Sequence, residues 1–171
     1  MATYDEELVR HHTAAFGWAL ACCKWDRSAA EDVLQTAYLK IVDGRARFAG
    51  ISTFRTFLFG VIRHTAAEER RRRAIRSMLP LSTLGVANIS APVDANGSAS
   101  IERAESSREL ISALGKLSAR QREILVLVFY HDLSIADAAQ VTGISLGSAR
   151  VHYERGKARL RDLLNVGTTN D

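Results

Sequence analysis

The stretch LSARQREILVLVFYHDLSIADAAQVTGISLGSARVHYERGKARLRDLL, residues 117–164, decides the fold. Ser118 followed by Gln121 is a capping box, and it opens a helix whose apolar stripe is Ile124, Leu125, Val128 and Phe129. Ser134 with Asp137 opens a short second helix that uses Ile135, Ala138, Ala139 and Val141. Gly143 is placed as a left-handed stop, and Ser145 caps a long third helix. Two helices joined by a tight glycine turn, the second one basic, form a helix-turn-helix pattern.

Rotating the last helix by about 100° per residue puts Ala149, Tyr153, Gly156, Leu160 and Leu163 or Leu164 on the inward side. Ser148, Arg150, Val151, Glu154 and Arg155 then face outward or flank that side. A DNA major groove takes such a set: Arg bonds guanine bidentately, Glu accepts from the cytosine amino group, and Val touches a thymine methyl. Lys157, Arg159 and Arg161 behind them suit phosphates, which set register without reading sequence. The competing reading is a solvated basic helix, and the capped helix-turn before it favours DNA.

The rest of the chain extends this pattern. Its 171 residues carry 23 Lys and Arg against 19 Asp and Glu, and 47% are apolar, as in a folded soluble chain of one domain or two small ones. The residues show no strand-like alternation. Residues 77–100 hold one acidic side chain, no basic one and both prolines, and read as a flexible linker. The expected architecture is all-α: an N-terminal domain at 1–76, the linker at 77–100 and a helix-turn-helix domain at 101–171. In the first domain, Glu6 to Lys24 reads as one helix. Ser28 with Glu31 reads as the capping box of a second, with Val33, Leu34, Ala37, Tyr38, Ile41 and Val42 as its apolar set. From Ser52 a third helix turns Phe54, Phe57, Leu58, Val61 and Ile62 inward and runs into Arg70–Arg73 and Arg76.

Catalysis finds little support. Gly143-Ile144-Ser145-Leu146-Gly147 has the letters of a nucleophile elbow, but the elbow needs a strand entering the serine, and residues 138–142 are helical in pattern. The sequence contains no phosphate loop, zinc-protease signature or dinucleotide fingerprint. Cys22 and Cys23 are neighbours without partners at ligand spacing, and read as two small buried hydrophobes. No metal, cofactor or enzymatic activity is expected. Phe48, Phe54, Phe57 and Phe59 interleave with Arg47, Arg55, Arg63 and His64, a composition suited to unstacked single-stranded bases, although helical spacing makes most of these rings core. The absence of an 18-residue apolar run and of a leader pattern predicts neither a membrane span nor secretion, and places the chain in the cytoplasm.

Two segments resemble the bacterial RNA polymerase sigma factors of the extracytoplasmic-function (ECF) type. AEDVLQTAYL at 30–39, followed by Arg47-Phe48, STFRTFL at 52–58 and the arginine run, is similar to the family's core-binding and promoter-opening domain. LSARQREIL at 117–125, GISLGSAR at 143–150 and RLRDLL at 159–164 are similar to its promoter-reading domain. The resemblance implies a non-catalytic specificity subunit, monomeric when free, whose partners are core RNA polymerase, promoter DNA and a cognate anti-sigma factor. It implies that Asp32, Gln35, Thr36 and Leu39 dock on core polymerase. Phe48, Ser52, Thr53, Arg55, Arg63, His64, Arg70 and Arg71 would then open the minus-ten element, while Ser148, Arg150, Val151, Glu154, Arg155 and Lys157 meet the minus-thirty-five element.

Three positions depart from the family pattern. Thr36 stands where an acidic residue is common, and His64 stands where Asn is usual, a change expected either to alter the minus-ten preference or to introduce pH sensitivity near neutrality. Glu154 on the reading face is useful only against a donor base edge. Two other readings use the same residues: a sigma-like decoy for an anti-sigma protein, and a stand-alone dimeric helix-turn-helix regulator. Against the decoy, Arg150 and Arg155 face outward; against the dimer, the sequence has no sustained heptad.

Overall fold

The structure, a computed structural model, describes residues 2–78 and 99–167. It is all-α, with no strand among the described residues, and forms two compact units. The first is built on α1 (Ala2–Cys22), α2 (Arg27–Val42) and α3 (Phe54–Met78). The second is built mainly on α4 (Ala99–Gly115), α5 (Ala119–Leu125), a π-helical turn (Val126–Tyr130), the first part of α6 (Ile135–Thr142) and α7 (Leu146–Gly167). The linker expected at 77–100 falls mostly on 79–98, outside the described residues, and its outermost residues on either side are helical.

In the first unit each helix packs on the other two. Trp18, Leu58, Phe59 and Ile62 are fully buried, and Trp18 stacks on Phe59 with ring centroids 6.0 Å apart. The indole Nε1 donates to the Phe59 carbonyl at 3.0 Å, so the largest core side chain has its polar atom satisfied. The second helix is not capped by Ser28 and Glu31. Asp26 is the N-cap, its Oδ1 accepting from the Ala29 amide at 3.0 Å, while Glu31 pairs with Arg27. A charged carboxylate at the positive end of a helix gains from the macrodipole as well as from the hydrogen bond, which moves the start upstream. The third helix likewise starts at Phe54, with Thr53 Oγ1 accepting from the Thr56 amide at 3.1 Å. Val42, expected inward, is exposed, and Phe54 and Phe57 are only half-buried.

The second unit follows its punctuation. Ser118 and Gln121 form the reciprocal capping box, Ser134 Oγ accepts from the Asp137 amide at 3.0 Å, and Ser145 Oγ accepts from the Ser148 amide at 3.1 Å. Gly143 has φ +67°, the left-handed geometry that a Cβ disfavours. Gly156 faces α5 closely enough that a Cβ there would lie 3.1 Å from Gln121 Cβ and 3.2 Å from Leu125 Cδ1. One expectation fails: Phe129 is exposed, not core. The π-helical turn, marked by an i to i+5 bond from the His131 amide to the Val126 carbonyl at 3.2 Å, shifts the register. Leu127 and His131 become buried, and Phe129 lies outside against Tyr153 at 5.7 Å.

Candidate nucleic-acid interface

The α7 surface is the most direct outcome of local sequence. Ala149 is fully buried and Gly156 is buried, so the helix has one fixed inward side. Ser148, Arg150, Val151, Glu154 and Arg155 are all exposed on the remainder. Lys157 is half-buried; its Nζ sits 4.9 Å from the Tyr153 ring centroid and 3.2 Å from Glu154 Oε2. This pairing tempers the Glu154 charge on a face otherwise rich in cations. Ser145, the serine of the elbow-like letters, follows a helix and has its hydroxyl committed to the α7 cap. The strained strand-to-helix turn that activates a nucleophile is not formed there.

A second surface lies where the loop at 43–53 meets α3. Phe48 and Phe57 line a groove there with Lys40, Ser52, Gly60 and His64. The aromatic rings divide by role. Phe54 stacks on Tyr4 at 5.8 Å and His11 at 6.3 Å, both on α1, and so belongs to the packing. Phe48 contacts Phe54 and Phe57 at 5.7 and 5.4 Å and carries that cluster to the groove.

The cations divide similarly. The Arg55 guanidinium lies 5.4 Å over the buried Phe59 ring, and Arg63 is half-buried. Arg70 Nη1 donates to the Cys22 carbonyl at 2.8 Å, latching α3 onto the end of α1. Arg73 and Arg76 both reach Glu69 Oε1, at 3.4 and 2.9 Å. Arg71 stays exposed. Thr53 spends its hydroxyl on the α3 cap, and Ser52 Oγ donates to the Thr53 carbonyl at 3.2 Å. Of the eight side chains expected at this surface, Phe48, Ser52 and His64 line the groove, and Arg70 serves the packing.

Sequence reading missed Lys40 and Glu68. Lys40 Nζ on α2 donates to Glu68 Oε2 at 2.5 Å and to Thr65 Oγ1 at 3.1 Å, both on α3. Glu68 Oε1 is 3.2 Å from His64 Nδ1. The Lys40 hydrogen bond holds the Glu68 carboxyl below its usual range. Only the i, i+4 spacing of His64 and Glu68 was legible in advance; the α2 partner lies 28 positions away.

The third surface is on α2. Asp32, Gln35 and Leu39 are exposed and Thr36 is half-buried; Leu39 and Val42 show 55% and 54% of their surface, an apolar strip on an otherwise polar face. Nearby thiol and phenol groups are quiet. Burial pushes the Cys23 thiol up to about 11 and the Tyr38 hydroxyl up to about 12, so both stay protonated at neutral pH. No helix among the described residues is long and apolar enough to cross a membrane.

Comparison with known proteins converges on one family. The model for Sigma-70 region 2 matches residues 8–75, and that for Sigma-70, region 4 matches residues 107–160. The ECF RNA polymerase sigma factor SigC of Mycobacterium tuberculosis is 32% identical over 147 residues, covering 86% of this chain and 74% of that protein. The RNA polymerase sigma factor CarQ of Myxococcus xanthus is 28% identical over 160 residues, covering 93% and 88%. Among solved structures, the sigma factor RpoE of Bartonella quintana, in complex with the anti-sigma factor NepR, shares the fold with a TM-score of 0.75 at 22% identity. That match covers 97% of this chain and 99% of the other.

Proposed function

The chain belongs to the ECF RNA polymerase sigma factors, and from this premise we propose that it carries core RNA polymerase to a specific set of promoters. The observation that carries the reading is the α7 surface: one side sealed by Ala149 and Gly156, the other presenting Ser148, Arg150, Val151, Glu154 and Arg155. In this reading α7 enters the major groove of the minus-thirty-five element. Arg150 and Arg155 bond guanine edges, Val151 meets a thymine methyl, Glu154 accepts from a cytosine amino group, and Lys157 adds positive charge toward the phosphates.

The groove at the start of α3 takes the nontemplate strand of the minus-ten element. Extruding a base costs a few kcal/mol, and stacking on aromatic faces returns about 1–3 kcal/mol per base. Phe48 and Phe57 supply those faces, and Arg71 supplies a cation for the adjoining phosphates. Opening therefore needs no nucleotide hydrolysis and no catalytic residue of this chain. Asp32, Gln35, Thr36 and Leu39 dock on core polymerase, with the Leu39–Val42 strip giving that contact an apolar centre. The solved RpoE relative is bound to an anti-sigma factor, and the same kind of protein is the proposed regulator here. The chain works in the cytoplasm, as a monomer when free.

Run-off transcription with purified core polymerase on a promoter library tests the proposal. Transcripts that depend on the chain are expected. Arg150→Ala should cost about 1–3 kcal/mol and relax one promoter position, while Lys157→Ala should weaken all sequences evenly. Tight, sequence-specific duplex binding without polymerase, together with no polymerase-dependent transcript, would overturn it in favour of a stand-alone regulator.

A further inference from the structure

One carboxylate on α3 serves two nitrogen bases set at different depths. Glu68 Oε2 holds Lys40, whose side chain is 17% exposed, and Glu68 Oε1 holds His64, which is 69% exposed. The Lys40 end joins α2 to α3. The His64 end stands at the solvent side of the groove that Phe48 and Phe57 also line. The charged groups around it are Glu68 and Arg72 on α3, Lys40 on α2, and Arg45 and Arg47 on the loop at 43–53. Asp43, the acidic residue of that loop, is held by Arg45 at 2.9 Å.

Lys40 and Glu68 cancel each other's charge. The balance of the trio is therefore set by His64: neutral with a neutral imidazole, one positive charge with imidazolium. Imidazole changes charge between about pH 5 and 8. Glu68 Oε1, 3.2 Å from His64 Nδ1, also orients the ring at the solvent side of the groove that Phe48 and Phe57 line.

We propose that His64 makes capture of single-stranded DNA in this groove proton-linked, the bound phosphodiester favouring imidazolium and the imidazolium favouring the strand. Reciprocity follows from linkage: a strand that binds the protonated form better takes up a proton on binding, so its affinity rises as pH falls through the imidazole range. This rests on the reading of the groove as the site of the nontemplate strand. It adds a specific residue and a direction of pH dependence that the reading alone does not contain.

The test uses the full chain and a fluorescent single-stranded oligodeoxynucleotide of mixed sequence, about 20 nucleotides long, titrated at fixed ionic strength at about pH 6 and about pH 8. The wild-type chain is expected to bind about five- to tenfold more tightly at the lower pH. His64→Gln keeps a polar group at this exposed position but cannot gain the charge, and should bind equally at both. His152→Gln, on α7, should retain the rise. A wild-type affinity that does not change with pH, or a rise that survives in His64→Gln, would overturn the proton linkage and leave the groove reading standing. Failure of the wild-type chain to bind at either pH would overturn the groove reading and the linkage with it.

Discussion

In the α1–α3 unit the polar contacts that join helices span long stretches of chain. Trp18 reaches Phe59 across 41 positions, Arg70 reaches Cys22 across 48, and Lys40 reaches Glu68 across 28. In the α4–α7 unit the characteristic polar contacts join residues three apart: Ser118 with Gln121, Ser134 with Asp137, and Ser145 with Ser148. The first unit is held by contacts that exist only once its helices have met. The second starts α5, α6 and α7 by local devices, as Asp26 and Thr53 start α2 and α3 in the first, and then depends on close apolar packing such as that of Gly156 on α5. Local contacts form early and at little entropic cost, whereas distant ones require loop closure first. The two units should therefore respond to different kinds of substitution.

The largest effect is expected from Trp18→Ala, which removes a fully buried ring and the indole hydrogen bond to the Phe59 carbonyl. The loss should be about 3–5 kcal/mol, confined to the α1–α3 unit. Both tryptophans, Trp18 and Trp25, lie in that unit, so the remaining Trp25 fluorescence in a urea titration reports it selectively. A matching loss in the other unit would break the comparison.

Glu68→Gln should cost about 1.5–3 kcal/mol at neutral pH by discharging the partner of Lys40. The sign of its pH dependence is fixed. A carboxyl whose folded pKa is lowered stabilises fully above the ordinary glutamate value of about 4.3 and loses that contribution as pH falls through the folded value. The gap between wild type and variant should therefore close in strong acid, as read by urea midpoints across pH.

Gly156→Ala sharpens the view of the second unit. An exposed helical glycine gains up to about 1 kcal/mol on becoming alanine. Here the new methyl meets Gln121 Cβ and the buried Leu125. A net loss of about 1–2 kcal/mol is expected in thermal unfolding followed by circular dichroism, with the Trp25 signal unmoved. The smallest effect belongs to Ser145→Ala, about 1 kcal/mol from the lost cap of α7, measurable by the same unfolding curve.

The contrast between units also explains what could be read beforehand. The Ser118 box, the Ser134 and Ser145 caps, the Gly143 stop and the α7 rotation depend on residues within a few positions of one another, and all appear in the structure. Ser28 misled because Asp26, two positions earlier, offered a charged acceptor to the same helix end. The arginine run could not be sorted by sequence. Its members look alike, and only the folded unit reveals that Arg70 latches the Cys22 carbonyl while Arg73 and Arg76 share Glu69. The Lys40–Glu68 bridge was unreadable for the same reason.

The wide turn at residues 126–130 places one more residue in the winding than a plain α-helix would use. Past Leu125 the helical count therefore slips by one. Phe129 lies outward in this turn, against Tyr153. A chain shortened by a single residue in this turn would wind as a plain α-helix and give up the long bond that the His131 amide now makes to the Val126 carbonyl.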